Sequence, residues 1–443
     1  MDVASRQRKN KKLSQARDNF PMQKMDSQNL NSPQIAIIGG GAAGYFAAIT
    51  AAENNPGSSV TLLEGTQRTL TKVKISGGGR CNVTHNCFDA ETLVGNYPRG
   101  YRELRGPFSR FQPRDTVAWF AARGVTLKAE ADGRMFPVSN SSSTIIECLQ
   151  NAALAAGVKT ELGSVIKEVT RVYSADGGIR FHLALSNGTI RTADKILLAT
   201  GSAPIGHRIA AMLGHSIIDT VPSLFTFKIA DSRLADIPGI SFQSARVRLN
   251  FSESPTLEQI GPVLITHWGL SGPAVLKLSA WGARALHDSQ YNAEAQINWM
   301  PSKKTETVLG DLLQYKAANP SRLVLSSPAV DLPKRFWASL VTFCEIASGT
   351  EWAHVTNKSL QKLANEITDG RYQVDGKGEF KEEFVTCGGV ALKEVDFKTM
   401  QSRLCPNLYF AGEILDIDGV TGGFNFQNAW TTAWIAGQHM VQP

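Results

Sequence analysis

Residues 34–64, QIAIIGGGAAGYFAAITAAENNPGSSVTLLE, restrict the possible folds of this chain more than any other stretch. Ile35–Ile38 has the length and β-branching of a buried strand. It runs into Gly39-Gly40-Gly41-Ala42-Ala43-Gly44, a G-x-G-x-x-G. The pattern then predicts a small-residue helix over Tyr45–Glu53 and a second strand over Val60–Leu63 that ends on Glu64. Gly39 serves the tight turn, Gly41 lets a pyrophosphate approach the backbone, and Gly44 lets helix and strand pack closely. The helix start supplies free N–H groups and a positive dipole end to the phosphates. Glu64 stands where a carboxylate accepts hydrogen bonds from ribose hydroxyls, and it disfavours a 2′-phosphate. The unit therefore reads as a site for FAD or NAD, not NADP.

Charge narrows the class further. The net charge is +7, but residues 1–33 carry seven Lys/Arg against three Asp, leaving +3 on the remaining 410 residues. The basic excess belongs to the leader, which argues against nucleic acid as a partner of the body. That leader is polar, lacks the apolar core of a secretory signal, and reads as a disordered segment. No apolar run has the length of a membrane span, so no membrane is expected. Six cysteines (81, 87, 148, 344, 387, 405) show neither C-x-x-C nor metal spacing, so they fit reduced thiols in the cytoplasm and no metal site.

Residues 65–87, GTQRTLTKVKISGGGRCNVTHNC, follow the acid directly. Gly77–Gly79, flanked by Lys74, Ser76, Arg80 and Asn82, make a donor-rich loop suited to a phosphate or a polarised ring edge. Cys81 reads as a small buried thiol. Tyr97–Arg114, with five arginines among aromatics, reads as a solvated helical face rather than a clamp for an acidic substrate. Helices are expected over Thr116–Gly124 and Ser143–Gly157. A β-meander is expected over Thr160–Glu168, Val172, Arg180–Leu185 and Thr189–Thr192, and a buried strand over Lys195–Gly201.

From 221 the texture changes. Val221–Ile229, Ser244–Phe251, Pro262–Thr266 and Ala293–Trp299 predict short strands of a small barrel. Ser271 is the expected N-cap of a helix beginning at Gly272-Pro273. Further helices are expected over Thr305–Ala317, Pro333–Phe343 and Ser359–Ile367. Near the end, strand Leu408–Ala411 runs into Gly412-Glu413, and Gly422–Phe426 opens a long helix. Glu413 suits a ribityl hydroxyl, and the 423–426 amides suit the flavin N1/O2 edge, where negative charge develops on reduction. Two separated glycine elements favour one extended FAD over NAD.

IAIIGGGAAG, KVKISGGGRCNVTH, GRMFP, THWGLSGPAVLKLS and PNLYFAGEILDIDGVTGGFNFQNAW together resemble a bacterial flavoprotein family, the NAD(P)/FAD-dependent oxidoreductases that include aminoacetone oxidase and bile-acid Δ4,6-reductase members. The resemblance implies an α/β, Rossmann-like (glutathione-reductase-type) FAD-binding domain in two parts, interrupted by an inserted β-barrel plus helical domain. The expected layout is a leader over 1–33, FAD-binding parts over 34–220 and 373–443, and the insert over 221–372. FAD contacts implied by the resemblance are Gly39, Gly41, Ala43, Gly44, Glu64, Lys74, Ser76, Gly79, Arg80, Cys81, Asn82, Val165, Ala199, Thr200, Gly201, Glu413, Gly423, Phe424, Asn425 and Phe426. The expected activity is hydride transfer between flavin N5 and a small organic substrate, of reductase or amine oxidase type; no second G-x-G-x-x-G occurs, so either NAD(P)H docks transiently as donor or the substrate itself is the donor. Two alternatives stay open: a flavin-dependent tRNA-modifying protein, or a non-catalytic flavin-binding redox sensor. His267 and His85 are the candidate proton-transfer residues, each equally readable as a packed histidine. The sequence leaves the substrate and the choice between monomer and homodimer open.

Overall fold

The computed structural model describes residues 33–173, 177–251, 254–378 and 385–442; the expected leader lies outside them. Its central sheet has seven strands in the order β19 (Val395–Asp396), β20 (Gln401–Ser402), β21 (Leu408–Phe410), β10 (Lys195–Leu198), β1 (Gln34–Ile38), β2 (Ser59–Leu63), β6 (Lys159–Glu161). The five strands from β21 to β6 are mutually parallel, with Ile38 opposite both Leu63 and Leu198, and Leu198 opposite Phe410. Ile37, Leu62, Leu197 and Phe410 are fully buried, which is why these strands read as unbroken apolar runs.

Helix α1 (Ala42–Asn54) covers this sheet beside the C-terminal helix α13 (Phe424–Met440). Small residues set their spacing: a Cβ added at Gly437 would stand 2.8 Å from the Ala47 carbonyl oxygen. Around them lie α2 (Thr71–Gly79), α3 (Ala90–Val94), α4 (Arg105–Arg110), α5 (Pro113–Ala121), α6 (Ser142–Ala155) and α7 (Pro204–Met212). A small sheet of β3 (Thr84–His85), β5 (Arg134–Pro137) and β4 (Leu127–Ala129) lies near the glycine loops.

The meander is shorter than its sequence pattern. Residues 159–161 join the central sheet as β6. The three-stranded meander is β7 (Ile166–Tyr173), β8 (Ile179–Leu185) and β9 (Ile190–Ala193). Gly163, at φ +66°, turns the chain between the two sheets.

The expected strand over 221–229 also divides. β11 (Ile217–Ser223) pairs with β18 (Val385–Val390), whereas β12 (Phe227–Lys228) enters a barrel. Leu224, held at φ +58°, is the break. The barrel runs β12, β15 (Gly269–Ser271), β14 (Leu257–Thr266), β13 (Ser241–Asn250), β16 (Asn292–Asn298), β17 (Gly370–Asp375). It closes where the Lys228 N–H donates to the Gly376 carbonyl at 2.9 Å and Phe227 bridges to Lys377.

The N-cap of α8 (Pro273–Trp281) is Gly272, not Ser271, which sits in β15 opposite Leu264. At φ +101° a Cβ on residue 272 would lie 2.8 Å from the Pro262 carbonyl oxygen, so only glycine fits. After α9 (Ala283–Asp288), helices α10 (Thr305–Ala318), α11 (Lys334–Phe343) and α12 (Asn357–Asp369) match their apolar spacing. They complete a second core of Val247, Ile265, Ile297, Trp337 and Leu363, separate from that of the central sheet. No helix among the described residues is long and apolar enough to cross a membrane.

Candidate functional site

Strands β1, β10 and β21 all end at one edge of the central sheet. There the chain passes into Gly39–Gly44, Ala199–Gly201 and Ala411–Glu413 respectively. In an open parallel sheet this carboxyl edge, where neighbouring connections diverge, is the place a ligand enters. Gly44 is required by the protein itself, since its Cβ would stand 1.8 Å from the Gly39 carbonyl oxygen. At Gly41, the N-cap of α1, an added Cβ would meet no protein atom within 4 Å. The first intrahelical bond runs from the Tyr45 N–H to the Gly41 carbonyl, so the preceding amides have no partner within the helix. This open, donor-lined cradle fits a diphosphate.

Glu64 caps the cradle. Its carboxylate accepts from the Gly40 N–H and the Thr66 N–H, each at 2.8 Å, and keeps lone pairs for hydroxyl donors. Val165 lies exposed past the end of β2, near Gly65. Gly412 sits where an added Cβ would be 3.0 Å from the Ala43 Cβ in the first turn of α1. Glu413 Oε2 is 2.8 Å from Lys72 Nζ, and 3.7 Å from a Cβ placed on Gly201.

The loop read as Gly-rich is the tail of α2, where helical geometry fails at Ser76, Gly77 and Gly78. Ser76 Oγ donates back to the Val73 carbonyl, and the Lys74 carbonyl accepts from Ser142 Oγ. Gly78 and Gly79 face open space. The Arg80 guanidinium lies 4.0 Å over the Phe136 ring and pairs with Glu130 at 2.6 Å, so its charge is already engaged. The Cys81 thiol is fully buried and burial pushes its pKa up to about 12, which makes it unreactive at neutral pH.

Asn82 joins the two chain ends: its amide accepts from the Gly423 N–H at 2.9 Å and donates to the Thr84 carbonyl at 3.1 Å. Gly423, at φ +93°, is the N-cap of α13, and its first intrahelical acceptance is from the Gln427 N–H at 3.0 Å. The amides of 424–426 therefore head the helix. The Phe424 ring stacks on His85 at 4.6 Å, and its carbonyl accepts from the Tyr97 hydroxyl at 2.6 Å. Asn425 braces the preceding loop through both the N–H and the carbonyl of Gly419, each at 2.8 Å. Phe426 stacks on Trp430.

Of the two histidines singled out, His85 sits against this loop, its Nδ1 3.0 Å from the Gly422 carbonyl. Burial lowers its pKa, and the Gly422 bond only partly opposes that, so it is neutral at pH 7 and donates from Nδ1. His267 lies exposed in the turn between β14 and β15.

The arginine segment departs from the solvated face expected of it at one position. Arg99 pairs through both arms with the fully buried Asp418, and it donates to the Ala280 carbonyl at the end of α8. Ser223 Oγ donates to the same carboxylate at 2.7 Å. Burial raises the Asp418 pKa and Arg99 opposes it. Arg102 and Arg114 cover the exposed rings of Tyr101 and Phe88, and Arg110 the half-buried ring of Trp434, as expected of a face with stacked aromatics. Sequence reasoning missed Lys72, Tyr97 and the Arg99–Asp418 pair. Lys72 carried a usable signal in its place beside Lys74, ahead of the glycines.

A family model described as HI0933-like protein Rossmann domain matches residues 33–439. A ribosomal RNA dihydrouridine synthase of Escherichia coli is 29% identical over 91% of this chain and 97% of its own length. A 3-dehydro-bile acid Δ(4,6)-reductase of Clostridium scindens is 26% identical over 91% of this chain and 98% of its own. Among solved structures, a 3-ketosteroid Δ1-dehydrogenase of Sterolibacterium denitrificans is 13% identical, covering 93% of this chain and 99% of that one, with a TM-score of 0.47.

Proposed function

As a member of the HI0933-like Rossmann family this chain is a flavin-dependent oxidoreductase, and we propose that it reduces a carbon–carbon double bond conjugated with a carbonyl group in a small organic substrate. Bound along the strand ends, FAD first reduced by NADH or NADPH would supply the hydride from N5, and the second hydrogen of the product enters as a proton from water. The observation that carries the flavin part of the reading is the meeting of the early and late glycine turns at one edge, with Asn82 bonded to Gly423 and Lys72 paired with Glu413.

Each protein group then has a task. The amides of 41–44 hold the diphosphate, and Glu64 and Glu413 accept hydroxyls at its two ends. The 424–426 amides favour negative charge at the ring edge, which assists reduction. Neutral His85 fixes the Gly422 carbonyl and so the aim of those amides. On this reading α8, whose Lys277 lies close enough to His85 to act on its charge, lines the substrate side with the barrel behind it. NADH or NADPH is the proposed transient donor.

The substrate class rests on what the two relatives' names have in common. Dihydrouridine is uridine saturated at a double bond conjugated with a carbonyl, and a Δ(4,6) double-bond pair on a 3-oxo steroid is the same kind of electrophile. A second reading places that chemistry on a uracil in RNA; it is favoured by a second such synthase, from Haemophilus influenzae, 29% identical over 90% of this chain.

The test is anaerobic. Purified protein is titrated with NADH and NADPH, then mixed with a 3-oxo-4,6-diene or a uridine-containing RNA while the flavin band is followed. Reoxidation by the diene, with two hydrogens gained by product, supports the first reading; reoxidation by RNA, with salt-sensitive binding, supports the second. A reduced flavin that neither reoxidises overturns both.

A further inference from the structure

On the reading that this edge takes FAD, we propose that Lys72 is a charge-compensating residue for cofactor binding, neutralising Glu413 so that a carboxylate can stand beside a diphosphate. Lys72 Nζ lies 2.8 Å from Glu413 Oε2, with the lysine side chain 50% exposed and the carboxylate 14% exposed. The partners are 341 residues apart in sequence, so the bond closes the early half of the chain onto the late half at the cleft.

The need for compensation follows from position. Glu413 succeeds Gly412, where an added Cβ would stand 3.0 Å from the Ala43 Cβ, so it is carried by the segment packed on the first turn of α1, whose amides attract phosphate. A largely desolvated carboxylate at that point repels the anion those amides bind. The other acid of the cleft is held differently: Glu64 accepts two backbone N–H groups, at Gly40 and Thr66. Among the described residues, Lys72 is the one cation within ion-pair distance of Glu413. Its exposed stem lets the ammonium follow the carboxylate as a ribityl hydroxyl takes up one of the acceptor sites. With the cation present, Glu413 orients the cofactor; without it, the same residue opposes binding.

The test is a double-mutant cycle on full-length protein stripped of cofactor, reading the FAD dissociation constant by flavin fluorescence quenching. Lys72→Met is expected to weaken FAD roughly ten- to hundredfold and Glu413→Gln to weaken it less. The combined variant is expected to bind FAD more tightly than Lys72→Met alone, a rescue that a merely structural role for Lys72 does not produce. The substituted side chain is half exposed, and melting of the stripped variants checks that they fold.

Wild-type protein that binds FAD alongside an unchanged Lys72→Met overturns this proposal and leaves the cofactor reading standing. Tighter binding by Lys72→Met, or a double variant no better than the single, overturns it as well. Wild-type protein that takes up no FAD sinks the cofactor reading itself, and the proposal with it.

Discussion

Gly41 and Gly44 look interchangeable as letters, yet their surroundings are opposite. An added Cβ at 44 strikes the Gly39 carbonyl, and one at 41 meets nothing. Gly44→Ala is therefore expected to cost about 3 kcal/mol or more through overpacking, seen as a lowered urea midpoint. Gly41→Val, at a backbone angle open to any residue, is expected to cost only about 1 kcal/mol and still abolish flavin uptake, read from the absorbance of purified protein. The motif told which residues had to be glycine; only the packing separates the structural glycine from the one kept clear for a ligand.

The histidines carry a pH prediction at the same scale. Burial lowers the pKa of His85, His207 and His215, more than the bonds from Gly422, Ile414 and Glu394 raise it. Unfolded chains bind these protons first as pH falls, so the histidines' contribution to stability is level above about 6.5 and declines below it until the native pKa values are passed. His207→Gln is expected to remove up to about 1.4 kcal/mol per pH unit from that slope, measured by urea unfolding between neutral and mildly acid pH.

Among elements, the loop that leads into α13 owes its shape to groups from distant segments. Asp418 is fully buried between Arg99, Ser223 of β11 and the end of α8. Removing the cation strands a buried carboxylate, so Arg99→Met is expected to cost about 3–5 kcal/mol. Arg99→Met with Asp418→Leu is expected to cost less than the single change, a comparison that chemical denaturation makes directly. This pair was not legible in the sequence, because an arginine among aromatics has the pattern of an exposed face whether or not a distant acid meets it. Strands and helices with clear apolar periods were legible. The errors cluster at Gly163, Leu224 and Gly272, where left-handed backbone redirects the chain in mid-pattern. Nothing in a run of apolar letters marks such a turn when the residue is a leucine.

At the scale of the whole molecule, two hydrophobic cores coexist, one around the central sheet and one inside the barrel and its helices. A ligand that binds only beside the first stabilises only that core, by about 2.7 kcal/mol at a hundredfold excess over its dissociation constant. Calorimetry with and without FAD is expected to move one transition and leave the other in place. The glycine turns at both chain ends made the cleft legible from sequence, since each has its own strand, turn and acid. The barrel was legible only as a change of texture at residue 221, because short strands without fixed spacing do not declare their partners.

Ser223 and Val385 face each other across the β11–β18 ribbon, a two-stranded sheet of its own, so the chain leaves for the barrel and comes back at one residue pair. Beyond that ribbon the segment is also held at α8, where Ala280 packs into the first core and Arg99 donates to its carbonyl. A shift of the barrel is therefore passed, through the end of α8 and Arg99, to Asp418 and the turn that opens α13.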